Sequence, residues 1–287
     1  MDGIVNIWKP TGMTSHDVVA KVRRAAGTKR VGHTGTLDPM AEGVLPICIG
    51  KATHAVDYVV SAQTTYVCDM RLGETTDTED STGTILETRP VTCSAEDVRR
   101  ALKSFEGECQ QVPPMYSAVH HNGQRLYMLA RQGITVERKA RKVIFFEIEP
   151  LEICLPIVRF RVVCSKGAYI RTLCKDIGEA LLTGGHMTAL KRTECGRFTE
   201  ENAVALSDFT EAPEAHLLPT ETVFFDYPRV SITEEEEKKV LNGVPVLHPY
   251  EREGKFAVYG PENRFLCLSE GVRRGETWIL KMITSFY

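Results

Sequence analysis

The sequence predicts an α+β protein in two units, a larger one over residues 1–226 and a smaller, mostly β one over residues 227–287. Short apolar-rich stretches at 4–8, 65–72, 142–148 and 157–164 read as strands. Between them lie segments at 15–26, 94–107 and 170–181 whose apolar residues recur every three or four positions, as in helices packed on one side. After Asp226-Tyr227-Pro228 the pattern changes to short strands at 255–259, 264–268 and 277–283, with one helix at 233–241. At 287 residues the chain is long enough for two ordinary domains with ample core.

Composition narrows the function classes. Hydrophobic residues make up 43% and charged residues 25%, the proportions of a soluble globular chain. Charges or prolines interrupt every apolar run before it reaches a membrane span. The start, Met1-Asp2-Gly3-Ile4-Val5, lacks the basic residues and apolar run of a signal peptide, so a cytoplasmic location is expected. The nine cysteines (Cys48, Cys68, Cys93, Cys109, Cys154, Cys164, Cys174, Cys195 and Cys267) are dispersed, with no C-x-x-C and no paired His/Cys spacing. Neither a zinc site nor a disulfide framework is signalled, and reduced thiols are expected. A net charge of −3 does not by itself favour nucleic acid. The charges are segregated, however. Lys21, Arg23, Arg24, Lys29 and Arg30 form one basic cluster, and Arg125, Arg131, Arg138, Lys139, Arg141 and Lys142 form another. An acidic run occupies 234–237.

Taken in order, the strand at 4–8 ends at Lys9-Pro10. Ser15 is placed to cap a helix in which Val18, Val19, Val22 and Ala26 share a face, and Gly27 is its stop. The segment from Gly32 to Pro46 follows, with three glycines and two prolines in fifteen residues, which argues against a regular helix or a central strand. The strand at 65–72 runs into a polar turn region, 73–83, and returns at 84–87. Ser94 caps a helix carrying Val98, Leu102 and Phe105. Residues 112–133 break the pattern: Pro113-Pro114-Met115-Tyr116-Ser117-Ala118, a turn at Asn122-Gly123, then a short helix at 125–132 with Leu126 and Leu129 inward. Cations mixed with rings here (His120, His121, Arg125, Tyr127, Arg131) suit a surface that meets phosphate and stacks on bases. Strands at 142–148 and 157–164 precede Lys166-Gly167-Ala168-Tyr169-Ile170-Arg171, which opens a helix with Leu173, Ile177 and Leu181 inward and Gly184-Gly185 at its end. Beyond the boundary Thr233 caps the last helix, with acidic residues in its first turn.

The string Gly32-His33-Thr34-Gly35-Thr36-Leu37-Asp38-Pro39-Met40-Ala41-Glu42-Gly43-Val44-Leu45 sets one carboxylate among small residues, where another molecule can approach the backbone. Asp before Pro is also an ordinary turn starter. The whole string closely resembles the catalytic-aspartate motif of the TruB family of tRNA pseudouridine synthases, G-H-x-G-T-L-D-P-x-A-x-G-V-L. The entry K-P-x-G-x-T-S-x-D-V-V at 9–19, the P-P-M-Y-S-A run, the G-x-Y-I-R run ending at Arg171, and the L-x-R-T run at 190–193 are similar to family segments too.

The resemblance implies a mixed, mainly antiparallel central sheet flanked by helices, and a C-terminal β-barrel-like PUA-type RNA-binding domain. It implies conversion of uridine 55 in the tRNA T loop to pseudouridine, by base flipping and without cofactor or metal. Asp38 would be the nucleophile, by attack at C1′, attack at C6, or removal of a C2′ proton; all three stay open. Arg171 would pair with it and lower its pKa. Tyr66 would stack on the flipped base and take part in proton removal from C5. His33 would lie near the flipped nucleotide. Lys9 and Thr36 would contact the RNA, and Leu190, Lys191 and Arg192 would wall the pocket or touch phosphate. An RNA-clamping thumb over about 112–142 would bring Tyr116, Arg125, Arg131 and Arg141 to the substrate, as in stand-alone bacterial members. The tRNA partner would contact the protein through its T stem-loop, and through its acceptor stem at the C-terminal domain. The sequence departs from the family at Thr64, where many members carry lysine. The chain would act as a monomer. The rival reading is a non-catalytic RNA chaperone using the same surfaces.

Overall fold

A computed structural model describes residues 1–60 and 63–287. Its centre is a ten-stranded sheet in the order Val204–Ala205, Gly3–Lys9, Glu42–Ile49, Gly185–Cys195, Thr64–Leu72, Ile157–Cys164, Arg141–Cys154, Gly107–Gln111. Two short strands flank this path: Val31–His33 on Glu42–Ile49, and Phe198–Thr199 on Gly185–Cys195. Two pairings are parallel, Gly3–Lys9 with Val204–Ala205 and Gly185–Cys195 with Glu42–Ile49; the others are antiparallel. The expected mixed, mainly antiparallel sheet is therefore present.

The helices gather on one face because their apolar stripes share a single core. Val18, Val19 and Val22 of Ser15–Ala25, Val98 and Leu102 of Ala95–Ser104, and Leu173 and Ile177 of Ile170–Ala180 meet Cys68, Met70, Phe145, Phe160 and Val162 of the sheet. Leu206 and Phe209, from a helix the sequence did not flag (Leu206–Glu211), close the same core.

Three expectations change, and one strand is new. Thr14, not Ser15, caps the first helix, because Thr14 and Asp17 form a reciprocal capping box. Ser15 becomes the first helical residue, and its hydroxyl is free for another task. The segment 32–46 does hold strand: Val31–His33 and Glu42–Ile49, the latter central. Pro46 is tolerated there because its carbonyl accepts from Thr34 N on the side facing the loop. N–H and C=O of one strand residue share a side, so the missing donor falls outside the ladder to Gly3–Lys9. The strand at 142–148 extends over Arg141–Cys154, bulging near Phe145 and Pro150 as it pairs with Ile157–Cys164. Both faces of its far half are largely exposed, which erases the alternation a reader would look for. Finally, Gly185–Cys195, which follows the Gly184 turn, is a central strand.

The C-terminal sheet runs Arg229–Ser231, Gly254–Tyr259, Phe265–Arg274, Thr277–Ser285, Val246–Leu247, around a core of Val230, Val240, Phe256, Val258, Leu266 and Leu280. Thr233 caps its helix, Glu234–Leu241, as expected. A separate aromatic cluster joins this sheet to the helix Val56–Val60: Phe224 lies 5.1 Å from Tyr58, 5.4 Å from Phe265 and 5.1 Å from Phe286, centroid to centroid.

Gly43 decides how closely the two parallel strands approach. Its φ is +111°, and a Cβ there would lie 2.2 Å from Arg192 O. Gly43→Ala should cost about 3 kcal/mol, from strain and overpacking together. Urea unfolding should show the loss as a lower midpoint with an unchanged slope.

Candidate active site

The loop bearing Asp38 is held by its own backbone and by three side chains. The hydroxyl of Ser15 accepts from Leu37 N at 2.8 Å and donates to Leu37 O at 3.0 Å. Gly12 N donates to Pro39 O at 2.7 Å, and Ala41 N closes a turn on Asp38 O at 3.0 Å. Leu37 is buried in the main core, whereas the side chain of Asp38 keeps 32% of its surface exposed.

Lys9 and Arg192 are the other two supports. Lys9 has no exposed surface, and its ammonium donates to Ala41 O at 2.6 Å and Pro10 O at 2.9 Å. Burial lowers its pKa to about 8, against the raising pull of Asp38. The expected RNA contact by Lys9 is thus corrected: the residue is an internal strut. Arg192 is 2% exposed, and donates from Nε to Val44 O at 2.6 Å and from Nη2 to Gly35 O at 3.2 Å. It walls the site from within, and its donors turn to the protein's own carbonyls instead of outward to phosphate.

Arg171 approaches Asp38 with two nitrogens, Nε at 2.9 Å from Oδ2 and Nη2 at 3.3 Å from Oδ1. Such a side-on fork fixes the carboxylate plane as well as its position. Nη2 also donates to Tyr116 O at 2.8 Å, and Nη1 donates to Thr78 O at 3.0 Å. Asp80 Oδ2 lies 3.7 Å from Nη1. Its other oxygen, Oδ1, accepts from Thr78 Oγ1 at 2.8 Å, Thr82 N at 2.9 Å and Thr82 Oγ1 at 2.5 Å. Glu79 ties the same turn to the helix, accepting from Thr172 Oγ1 at 2.7 Å and Lys175 Nζ at 3.0 Å. Asp80 and Thr78 escaped the sequence reading. The signal was present as Asp and Thr spaced to bond their own turn, D-T-E-D-S-T at 77–82.

The electrostatics correct a second expectation. Burial raises the pKa of Asp38 above the ordinary carboxylate value; Arg171 opposes this, and the second carboxylate, Asp80, adds to it. The guanidinium therefore moderates a raised pKa rather than producing a lowered one.

Tyr66 lies on the strand Thr64–Leu72 opposite Arg192, and its ring packs against the core that contains Leu37 and Ile170. Burial pushes its phenol up to about 12, against the pull of Arg192. Leu190, two residues before Arg192, is part of the same core. His33 is half-buried; burial and Arg192 lower its pKa, and Gly35 N donates to its Nδ1 at 3.3 Å. Thr36 is exposed on the loop. Thr64 O accepts from Cys164 Sγ at 3.7 Å.

Above the site, residues 120–125 form the expected turn at Asn122-Gly123, a two-residue hairpin leading into Leu126–Ala130. Tyr116 is half-buried, Arg125 and Arg141 are exposed, and the Arg131 guanidinium lies 5.6 Å from the Tyr127 ring centroid. The structure thus joins Asp38, Arg171 and the backbone of Tyr116, and sets Tyr66 beside Arg192. Arg125, Arg131 and Arg141 remain on the surface. No group of His, Cys, Asp and Glu spaced to hold a metal occurs among the described residues.

Solved structures with this fold include a Cbf5-Nop10-Gar1 complex, at a TM-score of 0.75 and 28% identity over 99% of this chain and 85% of that one. An H/ACA RNP bound to a substrate RNA containing 2′-deoxyuridine matches at 0.74 and 25%, with the same coverage. The fold class is that of the pseudouridine synthases. The family model for the N-terminal domain of TruB family pseudouridylate synthases matches residues 23–170, and that for the C-terminal domain of tRNA pseudouridylate synthase B matches 171–224. The tRNA pseudouridine synthase B of Clostridium kluyveri is 45% identical over the whole of both chains. That of Alkaliphilus oremlandii is 47% identical over 87% of this chain and 84% of its own. The chain belongs to the TruB family of pseudouridylate synthases, which are isomerases.

A carboxyl-carbon NMR titration checks the electrostatics. In the charged form Asp38 loses solvation, so its midpoint should lie above the ordinary value of 3.8. Arg171→Gln removes the opposing cation and should move that midpoint higher still.

Proposed function

We propose that this protein isomerises uridine 55 in the T loop of tRNA to pseudouridine, with Asp38 as the reacting carboxylate. The observation that carries the reading is the two-point pairing of buried Arg171 with part-exposed Asp38, in a loop whose backbone is fixed at Leu37, Pro39 and Ala41. The reaction breaks the N1–C1′ bond, turns the base and joins C5 to C1′. The C5 proton leaves and N1, which bears none in uridine, takes one up, so nothing is gained or lost overall and no cofactor enters the balance. Asp38 serves this sequence either as nucleophile or as base, and Arg171 keeps it ionised and aimed. A T-loop uridine reaches Asp38 only after it is flipped out, at a cost of a few kcal/mol recovered by stacking and backbone contacts.

Tyr66 is the stacking surface in this scheme. A phenol held near 12 stays protonated at neutral pH, which favours a ring role over proton abstraction by a phenolate. His33, Thr36 and Leu190 border the flipped nucleotide. The segment 112–142 is the thumb, with Tyr116 at its root and Arg125, Arg131 and Arg141 on phosphate. Residues 227–287 form a PUA-type domain that takes the acceptor stem. The protein works as a monomer in the cytoplasm; no helix among the described residues is long and apolar enough to cross a membrane.

Tritium release from C5-labelled uridine in an unmodified tRNA transcript tests the reading directly. Wild type should release tritium, and Asp38→Asn should lose at least about a thousandfold in rate while its tRNA affinity stays within about threefold. No release from either protein, with tight tRNA binding, would move the assignment to a non-catalytic RNA chaperone. For the thumb, Arg131→Ala should weaken tRNA binding with kcat retained, and lower the slope of log Kd against log salt by about one.

A further inference from the structure

Gln111 ends the strand Gly107–Gln111, is 2% exposed, and has no part in the mechanism above. Its carboxamide makes both of its bonds with one residue. Tyr169 N donates to Oε1 at 2.9 Å, and Nε2 donates to Tyr169 O at 3.1 Å. A side chain here supplies the two-way pairing that one strand residue ordinarily offers another.

Tyr169 is the N-cap of the helix Ile170–Ala180, and its own side chain makes no capping bond. Its carbonyl also receives the first helical bond, from Leu173 N at 3.0 Å. Gln111 therefore fixes where the helix begins, two residues before Arg171. The start of a helix sets the direction in which each early side chain leaves the backbone. Five residues after Gln111, Tyr116 O accepts from Arg171 Nη2, the nitrogen that also reaches Asp38 Oδ1. One strap, residues 111–116, thus holds Arg171 at both ends: at its backbone through Tyr169, and at its guanidinium through Tyr116.

We propose that Gln111 is a positioning residue for the Asp38–Arg171 pair, linking the root of the basic segment to the geometry of the reacting carboxylate. Gln111 touches neither substrate nor Asp38; it acts through Tyr169 on Arg171. A misplacement of about 1 Å in such a fork costs on the order of a hundredfold in rate. The kinetic part of the proposal rests on the isomerase reading, and the titration part does not.

The test pairs Gln111→Met, which keeps length and packing but removes the amide, with Gln111→Glu, which keeps an acceptor for Tyr169 N but no donor for Tyr169 O. In single-turnover tritium release each variant should be at least about tenfold slower, with tRNA Kd within about threefold. In an Arg171→Lys background the same changes should have little further effect, because the residue they position is already gone. The Asp38 carboxyl midpoint should rise in both variants, whatever the activity. Wild-type release, and its loss in Asp38→Asn, report on the isomerase reading separately. Unchanged rates, an unmoved Asp38 midpoint, or losses that multiply fully with Arg171→Lys would overturn the assignment to Gln111. A variant that fails to fold passes the decision to the other.

Discussion

A guanidinium taken out of water must find acceptors for its donors, or the fold carries an uncompensated charge. Arg171 is nearly fully buried, and it finds them in three separate parts of the chain: Asp38 in the loop before Glu42–Ile49, Thr78 O beside Asp80 in the polar turn, and Tyr116 O at the root of the basic segment. The demands of one side chain thus draw three loops to one point. The helix that carries Arg171 is in turn fixed to the sheet by Leu173, Cys174 and Ile177, so the charge is placed by the core beneath it. Removing any one acceptor would leave a buried donor unmatched, which is why these loops are better understood as one unit than as three.

The cations around the aspartate loop do structural work that composition could not reveal. Lys9 and Arg192 spend their donors on main-chain carbonyls, Ala41, Pro10, Val44 and Gly35. Buried N–H donors aimed at backbone oxygen fix a loop that has too few residues in regular structure to fix itself. Their charges also bear on Asp38. Burial and Asp80 push its proton affinity up, while Arg171 and Lys9 pull it down. A carboxylate poised by opposing influences binds a proton less tightly than its burial alone would dictate, and it holds its orientation without help from solvent.

The positive surface is separate from this interior set. Arg125 and Arg141 lie exposed around the site, on a chain whose net charge is −3, while acidic residues collect on the helix Glu234–Leu241. Segregation of this kind gives a polyanion a preferred face despite an acidic total. The C-terminal sheet packs on Ala55 and Tyr58 through rings gathered around Phe224.

Much of this was readable in the residues. The apolar periodicities of 15–26, 94–107 and 170–181 are local, and each became the helix it announced; Ser94 caps the second of them, and Thr233 caps the C-terminal helix, as expected. The aspartate motif and the run ending at Arg171 were legible because close backbone approach demands glycine and small residues at fixed places. That Arg171 meets Asp38 was legible only through the family resemblance, and nothing in the sequence placed Asp80, Thr78 and Gln111 in the same constellation. Those contacts span 133, 93 and 58 positions along the chain. Local preference carries no information over such distances; only the sheet order that sets Thr64–Leu72 beside Gly185–Cys195 brings the loops together. The same holds for Lys9 and Arg192, charged by type and surface residues by habit, which burial turned into struts. By itself the sequence determined which chemical groups are present and where the amphipathic helices at 15–26, 94–107 and 170–181 lie. Tertiary structure decided which charges face each other in the interior, because desolvation and Coulomb energy depend on three-dimensional neighbours rather than on sequence neighbours.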